Sequence, residues 1–379
     1  MIRNTFAEIN LSNLRHNFKT LRALAPNNTF FCPMIKSSAY GHGDVQVARS
    51  LIKEGANVFG VALMEEAIML RESGIIEPIL VFGPFNQEAI SYVNEYKLIP
   101  VVSVWEQLLT IVKSQTPMPI HLKLNTGMNR LGLDEVHLSE LIDLLNQNQQ
   151  IKVLGLCSHL AEAEDFFKES SFTQMQIQKF EKFIKILNID IKNIHLFNSS
   201  GLIANSIDNR FPFGSRPGIS LYGVKPHLKS LNENQSQQWE SINLKPVMTL
   251  KSEVIAYHNI SKGEKVSYGG HWIAPRNSII GVIPIGYGDG YHRLFSQKGV
   301  ILYRGKRVPV VGTVCMDYTM VDLTDALQGS AGKWQEEVVL FGEMEGQFLA
   351  VEEIAKLAST ISYELLTGIG KRVPRNYVE

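Results

Sequence analysis

Cysteine is scarce. Cys32, Cys157 and Cys315 are the three in a chain of 379 residues, far apart and never in a C-x-x-C pair. An odd, dispersed set argues against a disulfide framework and against a structural zinc site. Each lies in an apolar run, so burial is expected for all three. Long apolar runs are missing as well: no stretch approaches the ~20 apolar residues of a membrane-spanning helix, and the opening MIRNTFAEINLSNLRHNF has no apolar core of signal-peptide length. A soluble cytoplasmic protein is the expectation. Neither sign of charge dominates, since 37 basic residues balance 37 acidic ones. Without a like-charged run to follow a phosphate backbone, nucleic acid is not an expected partner. No internal repeat is visible.

What is present is globular in character, with 45% hydrophobic and 20% charged residues. Short apolar or β-branched runs recur from residue 30 to about 223: FFCPMI (30–35), VFGVAL (58–63), PILVFG (78–83), LIPVVS (98–103), IHLKL (120–124), KVLGLCSHL (152–160), NIHLFNSS (193–200) and GISLYG (218–223). Their number and their spacing of roughly 20 to 40 residues are those of a (β/α)8 barrel, with a doubly wound open sheet as the competitor. The intervening stretches carry helical periodicity. Leu14, Phe18 and Leu21 share a face, as do Phe172, Met175, Ile177, Phe180, Phe183, Ile184 and Leu187, and EEAIMLRESG ends on a glycine suited to a helix C-cap. Past residue 223 the texture changes. A polar, helix-poor segment (228–246) is followed by short strand-like pieces separated by Gly and Pro turns, which predicts a mostly-β second domain. The expected division is a barrel over 1–240 and a β domain over 241–379, with the first ~10 residues as candidates to pack with the second.

Functional groups of such a barrel project from the C-terminal ends of its strands. The first run ends in Lys36, with Tyr40 following; the fifth ends in Lys123, with Arg130 in the next loop; the sixth ends in His159; the seventh in Asn198, Ser199 and Ser200. GSRPG, ahead of the eighth run, carries Arg216. A strand-end lysine among a tyrosine, a histidine, serines and glycines can form a Schiff base and hold a phosphate. His42, His121 and His195 lack a second ligand at metal spacing, so no metal site is expected.

Nine segments, KSSAYGHG (36–43), KLNTGMNRLG (123–132), SHLA (158–161), NSSG (198–201), RPGISLYG (216–223), VSYGG (266–270), PIGYGDGY (284–291), GTVCMD (312–317) and ISYELLTGIGKRVPR (361–375), resemble in content and order the alanine racemases, which are fold-type III pyridoxal-phosphate enzymes. The resemblance implies an isomerase that interconverts L-alanine and D-alanine by two-base proton transfer at Cα, supplying D-alanine for peptidoglycan. It implies pyridoxal 5'-phosphate held by Lys36, one catalytic base, with Tyr268 as the other, reaching the partner's site in a homodimer. Tyr40, His159, Asn198, Ser199, Arg216, Gly218, Ile219 and Tyr363 are the implied cofactor contacts, with Tyr222 nearby. Arg130 and the backbone around Met316 are the implied contacts to the substrate carboxylate. Lys123 is a candidate for carbamylation, and Tyr287 and Asp165 for lining the substrate's path.

The chain departs from the family pattern at four positions. Ser37 and Ser38 stand where Ala-Asn is usual, Asn125 where aspartate is common and Asn129 where glycine is common. These put substrate range and the hydrogen bonds around the cofactor in question, and leave the reaction class intact. A racemase of broader specificity is the nearest rival. A pyridoxal-phosphate carrier is disfavoured by the β domain bearing Tyr268. A decarboxylase of the same fold is disfavoured by Arg216, because an arginine at the ring nitrogen cannot readily protonate it and so weakens the electron sink.

Overall fold

A computed structural model describes residues 3–379. The described chain divides into two compact units, one formed by residues 13–39 and 44–245, the other by 3–12, 40–43 and 246–379.

The first unit is the expected barrel. Seven parallel strands follow one another in chain order, β2 (Phe59–Val61), β3 (Ile79–Val81), β4 (Ile99–Val102), β5 (Met118–Lys123), β6 (Ile151–Cys157), β7 (Asn193–Phe197) and β8 (Gly214–Ser215). β1 (Phe6–Asn10) belongs to the other unit. Residues 31–34 close the ring, since Phe31 bridges Ser215 of β8 and Met34 bridges Gly60 of β2, both in parallel. The segment pairs only in part because Pro33 has no N–H to donate. Its carbonyl still accepts from Gly60 N at 3.0 Å. The eighth run is where expectation and structure part. GISLYG is a 3-10 turn, Ile219–Tyr222, and the eighth strand is the pair Gly214–Ser215 just before Arg216. The run is apolar because all four turn residues are buried, which periodicity alone cannot tell from a buried strand.

Helices cover the strands as the sequence pattern requires. In Phe172–Leu187 the side chain of Ser171 accepts from Gln174 N, Asn188 ends the helix in the left-handed region, and Ile177, Phe180, Phe183 and Leu187 are buried. Met175, placed on the apolar stripe by the sequence pattern, is 61% exposed; the buried face instead takes Thr173, Gln174 and Gln176. The polar segment after residue 228 contains a helix after all, Glu233–Ser241. It is nucleated by a reciprocal capping box between Asn232 and Gln235, a polar signal without an apolar stripe. Cys32 and Cys157 are buried as expected, whereas Cys315 is only half-buried.

The second unit is built on β9 (Met248–Val254), β10 (Ala256–Ile260), β13 (Ser278–Ile283), β14 (Val300–Tyr303), β15 (Lys306–Val311), β16 (Thr319–Asp322), β17 (Glu336–Met344), β18 (Gln347–Leu349) and β19 (Arg375–Val378). With β1 they form a ten-stranded sheet in which β1 lies between β9, antiparallel, and β19, parallel. A separate ribbon pairs β11 (Lys265–Val266) with β12 (Trp272–Ile273). Among the described residues no helix is long and apolar enough to cross a membrane.

Glu336 at the start of β17 accepts from Tyr303 Oη at 2.5 Å and from Arg304 Nε and Nη2 at 2.6 and 3.0 Å. Burial pushes this carboxyl up, but the Arg304 and Tyr303 hydrogen bonds outweigh it and leave the group at about 2. A carboxyl depressed on folding stabilises above its unfolded value, 4.5, and loses that contribution as pH falls through about 2. Glu336→Gln is therefore expected to cost about 1–2 kcal/mol in urea unfolding at neutral pH, with the gap to native closing below pH ~4.5.

Candidate active site

The barrel brings Lys36, Lys123, Arg130, His159 and Arg216 to one end. The five feel one another electrostatically: Lys36, Lys123, Arg130 and Arg216 all bear on His159. Among the described residues none of the two lysines and two arginines forms an ion pair. Unpaired cations at one mouth suit an anionic ligand. Burial, then the Arg130 charge, lowers the Lys36 amine, while Glu66 pulls it the other way. Burial and the fields of Arg216, Arg130 and Lys36 bring Lys123 down to about 8. His159 is held well below its usual range by burial and Arg216.

Lys36 is followed by a feature no sequence pattern announced. Ser37, Ser38, Ala39 and Tyr40 all have φ between 51° and 55°, one turn of left-handed helix built from residues with side chains. Such a conformation costs roughly 1–2 kcal/mol per residue. It closes on itself through Ala39 N donating to Ile35 O at 2.9 Å, and Glu66 holds its start. One Glu66 oxygen accepts from Ser37 N at 2.5 Å and the other from Ala62 N and Leu63 N at 2.8 and 3.0 Å. Glu66 thus ties the turn after Lys36 to the loop after β2. Ser37 and Ser38 are exposed, so the two departures from the family pattern occupy solvent-facing corners of this turn.

Arg216 is buried among acceptors, donating from Nη1 to His195 Nδ1 (2.6 Å) and His195 O (2.8 Å), and from Nη2 to Ser158 O (2.5 Å), Leu196 O (3.3 Å) and His159 Nδ1 (3.4 Å). Gln176, the polar residue on the buried helix face, holds the loop after β6: its amide donates to His159 O and Thr126 Oγ1 and accepts from Ala161 N. Sequence reasoning passed over Gln176 and Glu66. The signal for Gln176 was a polar residue next to Ile177 of the apolar stripe, one of three polar residues that this helix buries.

Ser199 opens helix Ser199–Asp208, and its Oγ accepts from Gly218 N at 3.0 Å and Ser220 N at 3.3 Å. Asn198 caps that helix through Gly201 N, and Tyr222 Oη donates to Met34 O. Hydroxyl, helix N-terminus and glycine backbone therefore converge near Ile219, a donor set suited to phosphate. The loop bearing Arg130 is organised by Asn125, whose oxygen accepts from Gly127 N and Asn129 N and whose amide donates to Asn129 and Asp134. An aspartate at 125 would lose both donors and face the Asp134 carboxylate. Asn129 takes φ 55°, a conformation glycine and asparagine tolerate. Asp165 accepts from Lys229 Nζ at 3.2 Å.

The second unit carries the remaining residues. Tyr268 stands on the β11–β12 ribbon, which packs through Val266 and Trp272 on Ile280 and Val311, and is 73% exposed. Its backbone is pinned from both sides: Ser267, at φ 68°, donates to Thr313 O, and Thr313 Oγ1 donates to Tyr268 O. Met316 O accepts from Gly288 N, and Cys315 O from Tyr287 N. Tyr40 and Tyr363 lie with ring centroids 6.1 Å apart.

Two family profiles match, alanine racemase, N-terminal domain, over residues 9–226, and alanine racemase, C-terminal domain, over residues 247–377. An alanine racemase of Thermodesulfovibrio yellowstonii is 40% identical over 381 residues, 98% of this chain and 97% of its own. The crystal structure of alanine racemase from E. faecalis aligns with a TM-score of 0.88 at 28% identity, covering 100% of this chain and 99% of that one. Alanine racemase from Bartonella henselae with covalently bound pyridoxal phosphate gives 0.86 at 30% identity over 99% of both chains.

Removing the Glu66 carboxylate by Glu66→Ala should lower the urea unfolding free energy by about 2–4 kcal/mol, since three backbone donors lose a charged acceptor. Glu66→Gln, which keeps an oxygen, should recover part of it. A loss under about 0.5 kcal/mol would mean that the left-handed turn holds itself.

Proposed function

The chain belongs to the alanine racemase family, and from that premise we propose that it interconverts L-alanine and D-alanine with pyridoxal 5'-phosphate. The observation that carries the reading is the amine of Lys36, at the end of the first barrel segment, lowered by burial and by Arg130 among cations that lack carboxylate partners. An amine must be neutral to attach a carbonyl cofactor or to accept a proton. Bound pyridoxal 5'-phosphate supplies the electron sink that acidifies the substrate Cα–H.

Ser199 and the backbone of Gly218 and Ile219 hold the phosphate on the barrel, with Asn198 ordering that helix start. The family pattern adds Tyr40 and Tyr363 to the set. Arg216 would meet the ring nitrogen of the bound cofactor as a cation, with His159 beside it as a neutral imidazole. A guanidinium there does not give up its proton, which favours return of a proton to Cα over other outcomes. Arg130 receives the substrate carboxylate as a fork, together with the backbone at Met316. Lys123, with its amine at about 8, has enough neutral form to take up carbon dioxide as a carbamate, which would pair with Arg130. Lys36 moves the Cα proton on one face and Tyr268 on the other.

The exposure of Tyr268 at 73%, with Met316 at 53% and Tyr287 at 43%, supports a homodimer in which Tyr268 serves the partner's site. A cytoplasmic location and a role in supplying D-alanine for peptidoglycan accord with this assignment.

Deuterium entry at Cα in heavy water tests the function directly. Native protein should exchange alanine with loss of optical rotation, whichever isomer is offered. Lys36→Ala should abolish exchange from both. Tyr268→Phe should lower racemisation on the order of 10²-fold or more, as expected for loss of a positioned base. Exchange of serine or lysine in preference to alanine would instead establish the broader-specificity racemase.

A further inference from the structure

His121 and His195 are 74 residues apart and meet inside the barrel, Nδ1 of His121 lying 2.7 Å from Nε2 of His195. Both are buried, at 1% and 0% exposure. They project inward from β5 and β7, and the flanking strands make room for them. A Cβ on Gly155 of β6 would sit 2.4 Å from Nδ1 of His121, and one on Gly214 of β8 would sit 3.1 Å from Cβ of His195. Phe30 lies against both rings, 5.5 Å and 4.5 Å between centroids.

The proton positions follow from the partners. Arginine has donors only, so His195 Nδ1, 2.6 Å from Arg216 Nη1, must be an acceptor. A neutral imidazole carries one proton, which for His195 is then on Nε2 and points at His121. His121 Nδ1 accepts it, and the His121 proton is on Nε2. We propose that His195 and His121 are positioning residues for Arg216, an ordered pair in which His121 fixes the tautomer of His195 and His195 in turn fixes the guanidinium. The inference rests on the reading of Arg216 as the group facing the cofactor ring nitrogen.

The arrangement has a chemical logic. A carboxylate in place of His195 would hold the guanidinium equally well but cancel its charge. An imidazole of defined tautomer holds it and leaves the charge intact. Burial, with the Arg216 charge, keeps His121 at about 4 and His195 well below its usual range, so both stay neutral near pH 7. A proton added to His121 would set N–H against N–H and turn the pair over.

The test uses holoenzyme labelled with 15N-histidine. With ten histidines in the chain, long-range 1H–15N spectra at neutral pH resolve each ring's tautomer, assigned by single substitution. Both His195 and His121 should carry the proton on Nε2. His121→Leu should release the His195 tautomer and lower kcat for alanine on the order of 10-fold with KM within roughly twofold. His121→Asn, whose Oδ1 falls near the lost Nδ1, should restore most of kcat and the Nε2–H signal. A proton on Nδ1 of His195 in active native enzyme overturns the proposal, and so does a His121→Leu enzyme with native kcat. The tautomer readout does not depend on turnover. Protein that shows the pair but racemises no amino acid therefore refutes the function proposed above while upholding the pair.

Discussion

The barrel mouth depends on one buried cation. Arg216 is taken from water without a carboxylate to pair with, and a guanidinium in that position persists only if its N–H groups are met. On the two terminal nitrogens they are met by the carbonyls of Ser158, His195 and Leu196 and by two imidazoles. Each acceptor belongs to β7 or to the loop after β6, so the ends of two strands are committed to this one side chain. The consequences spread outward. The charge depresses His159 and Lys123, and the Ser158 hydroxyl that reaches Leu124 O and Thr126 links the same loop to the end of β5.

Lys36 is set by a different device. Its place at the end of the first segment comes from the barrel, but the direction of the chain beyond it comes from four consecutive left-handed residues. Two of these, Ser37 and Ser38, look like ordinary loop residues in the sequence and occupy a conformation that usually falls to glycine or asparagine. The unfavourable backbone is offset by the carboxylate of Glu66, in the first turn of helix Met64–Glu72 after β2, which ties the start of the turn to Ala62 and Leu63.

Periodicity made the barrel legible, because a parallel sheet covered by helices repeats apolar runs at regular spacing. It misplaced the last strand, since two residues, Gly214 and Ser215, are too short to register while the buried turn after them is apolar enough to pass for a strand. Strand-end position together with the family motifs marked Lys36, Lys123, Arg130, His159 and Arg216. What stayed hidden was whatever depends on pairing across the sheet. Nothing local marks Glu66 as a cap for residue 37, Gln176 as an anchor for residues 159 and 161, or His121 as the neighbour of His195. Asn125 and Asn129 were visible as departures, but only the hydrogen bonds among them explain why an amide serves where a carboxylate would repel Asp134.

The placement of β1 has a further consequence, for the order in which the molecule can be assembled. Ala7 pairs with Leu250 on one side and with Arg375 on the other. β1 thus waits for partners that lie some hundreds of residues later in the chain, and contacts of such sequence separation form slowly. The barrel strands β2 to β8, each paired with the next a few tens of residues away, can associate while the rest is still being made, and only the closure of Phe31 on Ser215 spans a long separation within the barrel. The β sheet has no such option, because β1 enters between β9 and β19, two neighbours that did not exist when it emerged.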